Sequence, residues 1–264
     1  VAASRAAHMI DVDVQGEGVI AQAQEAHKKG GDRMKTVLFG GLDGIITTFA
    51  VVAGAGGASL SAGVVLIMGF SSLVADALSM GVGDALSSKA ENEVALRERK
   101  REAWELENFP EGEIKEMVEL YEQRGVGRED AELIVKTMAK YNDFFVDVMV
   151  KDELGMDPPE EGSIDHWISG AYCFCSFLVC GSVPLLGYVA FMPVTDDKDT
   201  LFGISCALTA CMLFTLGAVK SKFTIKAWWL SGLEILVMGA FTAAAAYLIG
   251  YGVERILAAL HVEM

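Results

Sequence analysis

An acidic residue lies deep inside the first long apolar segment of this chain. The segment from Met34 to Ala58 reads MKTVLFGGLDGIITTFAVVAGAGGA, and it is long enough to cross a bilayer as a helix. Asp43 is far from either end of it. An ionisable group at this depth costs at least about 2.5–3.5 kcal/mol on insertion scales, so it usually marks an ion pathway, a proton site or a charge pair. The sequence therefore predicts a membrane protein with a polar function inside the bilayer.

The chain combines high hydrophobicity with strong acidity, which a soluble globular domain rarely does. Of its 264 residues, 52% are hydrophobic, and the formal net charge is −15. The two properties are segregated, because residues 90–165 contain 22 Asp and Glu against 10 Lys and Arg. An acidic surface of this density argues against nucleic-acid binding, which requires a basic surface, and favours cations. The five cysteines all lie in apolar segments, so we expect no disulfide framework.

Five apolar segments have the length of transmembrane helices, at about 35–58, 61–88, 166–190, 200–219 and 227–250. Lys and Arg are concentrated before the first span, after the second, and between the fourth and fifth. The positive-inside rule therefore places the N-terminus and the segment between spans two and three in the cytoplasm. We predict an all-α membrane protein whose five transmembrane helices carry a cytoplasmic helical insert between spans two and three. The predicted divisions are a cytoplasmic N-terminal segment 1–34, membrane helices within 35–89, the insert 90–165, membrane helices within 166–250 and a lumenal C-terminal tail 251–264.

The insert is predicted to be helical throughout. Span two continues without Gly or Pro to Asn108, so one helix of about 70 Å should run from about 61 to 107. Three shorter helices should follow at about 111–124, 128–140 and 142–154. The insert is small and highly charged, so we expect it to lack a large core and to pack on the long helix or on a second subunit.

Acids and a thioether recur at helical spacing on span two. Asp76, Met80 and Asp84 are four residues apart and share one helix face. Asp43 on span one is their natural partner. Oxygen ligands with a soft sulfur suit a first-row transition metal better than Mg²⁺ or Ca²⁺. The alternatives are a packing role for Met80, a capping or paired acid at Asp43, and an interfacial position for Asp84.

Small residues are frequent on the first two spans. Gly40 and Gly44 form a GxxxG pair, and Ala77 and Gly81 form a similar small-xxx-small pair. Such pairs allow two helices to approach closely, and they could equally give a carrier room to move.

Glutamates in the insert recur at spacings that suit metal binding. Clustered carboxylates at i, i+3 resemble those of iron-binding helical bundles, but no Glu-x-x-His motif occurs, so a ferritin-like oxidase centre would lack its imidazoles. A solvated acidic face is the alternative. Glu234 and Met238 on span five form a weaker acid–thioether pair, with a contact between spans as the alternative. The insert candidates are Glu102, Glu105, Glu113, Glu116, Met149 and Glu153.

Two long motifs carry a family resemblance. DGIITTFAVVAGAGGA at 43–58 and ADALSMGVGDALSSKAENE at 75–93 resemble the vacuolar iron transporter family, and the similarity extends over roughly 30–250. It implies a homodimer in the vacuolar membrane that exchanges cytoplasmic Fe²⁺ for lumenal protons along a path between spans one and two of both subunits. It also implies that Asp43 and Met80 lie on this path, and that the six insert candidates collect metal before transport.

We therefore expect a proton-coupled antiporter, a secondary transporter and not an enzyme. Fe²⁺ is the expected substrate, with no permanently bound cofactor, and Zn²⁺, Co²⁺ and Mn²⁺ are other ions that the sites could hold. The expected partners are the lipid bilayer, metal ions, protons and a second copy of the chain. The alternatives are a membrane-bound di-iron oxidase, a metal sensor or a channel.

Overall fold

The computed structural model describes residues 33–159, 162–195 and 197–260, and it confirms the prediction of an all-α chain over these ranges. The predicted N-terminal segment lies almost entirely outside them, as do the last four residues. The short turn Ser221–Phe223 is a 3-10 helix. The α-helices are α1 (Arg33–Gly57), α2 (Ala62–Asn108), α3 (Pro110–Gln123), α4 (Arg128–Met138), α5 (Asn142–Asp152), α6 (Asp165–Phe191), α7 (Lys198–Lys220) and α8 (Trp228–Ala259).

Five of these helices are long and apolar enough to cross a membrane, as predicted: α1, α2, α6, α7 and α8. Their bounds agree with the predicted spans to within a few residues, except at the end of α2, which continues into the insert, and at the end of α8. That helix continues to Ala259, so most of the segment predicted as a C-terminal tail is helical.

The second span and the start of the insert form a single helix of 47 residues, as predicted. The apolar, membrane-spanning part of α2 ends near residue 88, and charged residues dominate the remainder. The helix ends where Phe109 and Pro110 follow Asn108. Proline has no N–H to donate to the preceding turn, but its fixed φ suits the first turn of α3.

The chain divides into two compact units. We call the first, Val1–Gly83 with Ile168–Met264, the apolar unit, and the second, Asp84–Trp167, the acidic unit. In the described part of the apolar unit, side chains from α1, α2, α6 and α7 form the main core. Its fully buried members include Val52, Val65, Phe177, Leu185 and Leu201.

Glycines bring α1 and α6 into backbone contact. A Cβ added at Gly44 would lie 2.6 Å from the Phe177 carbonyl oxygen, and one added at Gly40 would lie 2.8 Å from the Cys173 carbonyl oxygen. Gly181 on α6 approaches Gly44 in the same way. The GxxxG pair of span one therefore serves close helix packing.

The acidic unit has a small core of its own, and this core includes Leu106 of the long helix on which the insert was expected to pack. All four of its helices contribute, because apolar residues at helical spacing on α3, α4 and α5 pack with Leu106 near the end of α2. Every member is at most 8% exposed: Leu106, Met117, Val118, Ala131, Val135, Phe145, Val146 and Met149. The charged residues lie around this core and did not prevent it from forming.

Polar contacts also join the helices of the acidic unit. Arg99 Nε on α2 donates a hydrogen bond to Asp147 Oδ1 on α5 over 2.7 Å. Tyr121 Oη on α3 donates to Asp152 Oδ2 over 2.8 Å, and Arg124 pairs with the same carboxylate. These contacts hold α5 against α2 and α3, which fixes where the end of α5 lies.

We expect Gly44→Ala to destabilise the chain, because its Cβ would overlap the α6 backbone and the two helices would have to separate. Overpacking of this kind costs about 1–3 kcal/mol. Gly203→Ala is the matched control, since Gly203 is a helical glycine with open space around it. Thermal unfolding in detergent should show a lower midpoint for Gly44→Ala and no loss for Gly203→Ala. An unchanged midpoint for Gly44→Ala would contradict the close approach of α1 and α6.

Candidate metal site and membrane carboxylates

Three glutamates of the acidic unit converge on one point, and we call them the Glu triad: Glu102, Glu105 and Glu113. One carboxylate oxygen from each lies within 4.8 Å of the others. The first two are one helical turn apart on α2, and the third comes from the first turn of α3. Oxygens around one divalent ion are at most about 4–5 Å apart, because metal–oxygen bonds are about 2.0–2.6 Å long. The triad therefore has the dimensions of a metal site.

Two members of the triad are buried although they are acids. Glu102 is 2% exposed and Glu113 is 7% exposed, whereas the Glu105 side chain is 27% exposed. Burial raises the pKa of the Glu102 and Glu113 carboxyl groups to about 7, because an ionised carboxylate loses its hydration there. Neither forms an ion pair within the part of the chain that the structure describes. A bound cation would supply the missing positive charge.

Two further predicted ligands lie near the triad. Repulsion from Glu153 and Glu105 adds to the raised pKa of Glu102, and repulsion from Glu116 and Glu105 adds to that of Glu113. Both Glu116 and Glu153 are exposed. The structure therefore brings together all five glutamates of the insert prediction, two buried, one half-buried and two exposed. Over the described ranges, no other group of three or more acidic, His or Cys ligands comes together in this way.

The sixth predicted ligand, Met149, is fully buried in the core of the acidic unit. Its carbonyl oxygen accepts a hydrogen bond of 2.9 Å from the Glu153 N–H, one turn further along the chain. It thus supports the position of Glu153 through the backbone, and a role for its sulfur as a metal ligand stays a prediction.

The membrane helices bring two acids together. Asp43 on α1 and Asp76 on α2 are close enough for their charges to repel. Ser72 Oγ donates a hydrogen bond to Asp76 Oδ2 over 2.8 Å, which orients that carboxylate. Among the described residues, no Lys or Arg pairs with either acid. Two half-buried carboxylates with no fixed cation could hold a metal ion or protons between them.

The remaining span-two candidates have different surroundings. Met80 is half-buried and packs against the main core of the apolar unit, which fits the packing alternative as well as a site near Asp76. Asp84 is the first residue of the acidic unit. Its Oδ2 atom is buried and accepts no hydrogen bond within the described ranges.

The weaker candidate pair on span five forms a structural contact instead. Lys226 Nζ donates a hydrogen bond to Glu234 Oε2 over 2.9 Å, and the Met238 side chain is 60% exposed. Glu234 therefore makes a structural contact, as the alternative predicted. Its partner, Lys226, lies in the connection before α8 and not on another span.

Sequence reasoning missed two residues that shape these sites. Ser72 orients Asp76, and Arg101 Nε donates a hydrogen bond to Glu105 Oε1 over 3.1 Å. Each lies four residues before its acid on the same helix, so the i, i+4 spacing in the sequence could have identified both.

Comparisons with known proteins agree with this architecture. The model of the VIT family matches residues 34–251. The chain is 38% identical to a protein of Toxoplasma gondii named vacuolar iron transporter, over 97% of this chain and 85% of the relative. A Plasmodium falciparum protein of the same name is 36% identical over 86% of this chain and 84% of its own length. Vacuolar iron transporter 1 of Tulipa gesneriana is 31% identical over 91% and 95%.

The family match covers α2, α6 and α7, nearly all of α1, most of α8, and the Glu triad. This chain therefore belongs to the VIT family.

Proposed function

We propose that this chain is a proton-coupled antiporter that moves Fe²⁺ from the cytoplasm into an acidic organelle such as a vacuole. The observation that carries the proposal is the pair of carboxylates, Asp43 and Asp76, which lie close to each other on α1 and α2 and pair with no Lys or Arg within the described ranges. Charged groups in membrane helices are expensive and usually functional. The names of the relatives support iron as the cargo.

The Glu triad is the proposed capture site. A cation that enters it removes the repulsion among three carboxylates and compensates two buried charges. The exposed Glu116 and Glu153 extend the negative field towards solvent, which raises the local concentration of cations. Ions captured in the insert would then reach the membrane helices at a higher effective concentration than in bulk solution.

Asp43 and Asp76 are the proposed exchange site, with Met80 and Asp84 further along the same face of α2. Metal ligands must be deprotonated to bind an ion, so protons and metal compete for the same oxygens. On the acidic side of the membrane, protonation of these carboxylates would release Fe²⁺. On the neutral side, loss of the protons would prepare the site for the next ion, and the proton gradient would thereby drive accumulation.

We also propose an orientation of the chain in the membrane and an oligomeric state. The distribution of Lys and Arg supports a cytoplasmic position for the N-terminus and the acidic unit and a lumenal position for the end of α8. The family resemblance supports a homodimer whose path lies between spans one and two of both subunits. Zn²⁺, Co²⁺ and Mn²⁺ would compete with Fe²⁺ to the extent that carboxylate and thioether ligands accept them.

We expect Asp43→Asn to reduce Fe²⁺ uptake to background in proteoliposomes with an acidic interior, because the amide can neither neutralise a metal ion nor exchange a proton. Glu234→Gln is the control, since that acid is exposed and paired with Lys226. Fe²⁺ accumulation and the rise of internal pH should be lost together in Asp43→Asn and retained in Glu234→Gln. Uptake by Asp43→Asn at the wild-type rate would remove Asp43 from the mechanism.

Glu102→Gln combined with Glu113→Gln should weaken Fe²⁺ binding strongly, because the two buried ligands lose their charge. Transport should continue at a reduced rate at low Fe²⁺, since the exchange site is intact. Glu107→Gln with Glu111→Gln removes the same charge from exposed positions of the acidic unit and should have little effect. Anaerobic calorimetry and proteoliposome flux measure the two quantities. Unchanged binding would contradict the capture site, while binding in the wild type without any flux would indicate a sensor.

Fe²⁺ binding to the acidic unit should tighten as the pH rises from about 6 to 8. The pKa of Glu102 and Glu113 is about 7, so both carry protons in the more acidic half of this range, and metal must displace them. Each displaced proton changes the affinity by up to about tenfold per pH unit. Calorimetry in two buffers with different ionisation enthalpies counts the protons released. Fe²⁺ binding that does not change with pH and releases no protons would contradict a metal site built on these two carboxylates.

A further inference from the structure

Among the described residues, Arg101 is the only basic residue that forms an ion pair with a member of the Glu triad. Its Nε lies 3.1 Å from Glu105 Oε1, and its Nη1 lies 3.5 Å from Glu98 Oε2. All three residues are on α2, and the Arg101 side chain is 62% exposed. Its charge also reaches the buried members, because it lowers the pKa of Glu102 and Glu113 against the larger opposing effect of burial.

The ion pair involves the acid of the triad that solvent reaches most easily. Glu105 is the most exposed of the three acids, so an ion that arrives from solvent meets it first. One oxygen of this carboxylate already accepts a hydrogen bond from the guanidinium. The guanidinium therefore already neutralises part of the charge of Glu105, and a metal ion that binds this carboxylate competes with it for that charge.

We propose that Arg101 is a displaceable counter-ion of the capture site, bound to Glu105 while the triad is empty and released into solvent when a divalent cation takes that carboxylate. The inference rests on the proposed function, since it assumes that the triad captures metal. An exposed ion pair on one helix contributes little free energy, so an ion with two charges can replace it. K⁺ and Na⁺ carry only the charge that the guanidinium already supplies, so they gain little by displacing it. Arg101 thereby favours divalent ions and keeps their binding weak enough for release.

The test is anaerobic Fe²⁺ titration of the purified full-length chain by calorimetry. Arg101→Gln should bind Fe²⁺ roughly tenfold more tightly, because the competing charge beside the site is gone. Arg101→Lys keeps the charge without the planar guanidinium and should fall between Arg101→Gln and the wild type. Arg97→Gln is the matched control. It removes the same charge one turn away on α2, from an exposed side chain with no ion pair within the described ranges, and should change the affinity less than about twofold.

A second measurement separates displacement from a structural role. The titration is repeated with KCl replaced by tetramethylammonium chloride at the same ionic strength, because the bulky ion cannot enter the triad. K⁺ should weaken Fe²⁺ binding relative to tetramethylammonium in Arg101→Gln and much less in the wild type. Equal effects in both chains would overturn the proposed selectivity.

The remaining outcomes are also decisive. Equal gains in affinity for Arg101→Gln and Arg97→Gln would mean that Arg101 acts only through net charge, which overturns the proposal. Weaker binding by Arg101→Gln would mean that it positions Glu105 for the metal, which also overturns it. Wild-type chain that binds no Fe²⁺ would overturn the capture site of the proposed function and this inference together. Wild-type binding with no effect of Arg101 would overturn this inference alone.

Discussion

The proposed function depends on carboxylates that the fold buries or half-buries and that pair with no Lys or Arg in the described part of the chain. Glu102 and Glu113 have almost no access to solvent, and Asp43 and Asp76 repel each other on helices that can span a membrane. At Glu102 and Glu113 the ionised state is disfavoured, because burial removes hydration and neighbouring acids add repulsion. A proton or a metal ion relieves both effects. In the proposed mechanism, these groups therefore exchange one positive ligand for another.

The fold supplies these positions by ordinary packing. Close contact of α1 with α6 through glycines fixes the helix that carries Asp43, and the core of the acidic unit fixes the helices that carry the Glu triad. The turn at Phe109 and Pro110 brings the first turn of α3 back to the end of α2, so that Glu113 meets Glu102. Apolar contacts thus offset the cost of gathering like charges. The same apolar contacts could hold other polar side chains at these positions, so packing alone does not require glutamate there.

The sequence was sufficient for features that depend on local pattern. Hydropathy predicted the five long helices, and the absence of Gly and Pro predicted that α2 continues to Asn108. Features that depend on tertiary structure were harder to predict from the sequence. The core of the acidic unit was missed because its eight members are scattered among charged residues on four helices, so no single segment looks apolar. The i, i+3 spacing identified Glu102 with Glu105, but only the fold shows that the third ligand within reach is Glu113. Residue spacing alone ranked Glu234 as a candidate without revealing its lysine.

Glu234 and Asp43 illustrate what separates a structural acid from one that can exchange ions. Each is an acid on a helix that can span a membrane, and Glu234 has a methionine four residues after it. Lys226 pairs with Glu234 over 2.9 Å, so the charge of this carboxylate already has a partner. No Lys or Arg pairs with Asp43 within the described ranges, and its neighbour is another acid. A permanently bound cation would already supply the positive charge that a metal ion or a proton has to bring to the carboxylate. In the proposed mechanism, a carboxylate must be open to an incoming ion. Asp43 meets this requirement because no described Lys or Arg pairs with it, and Glu105 meets it because its ion pair with Arg101 is weak.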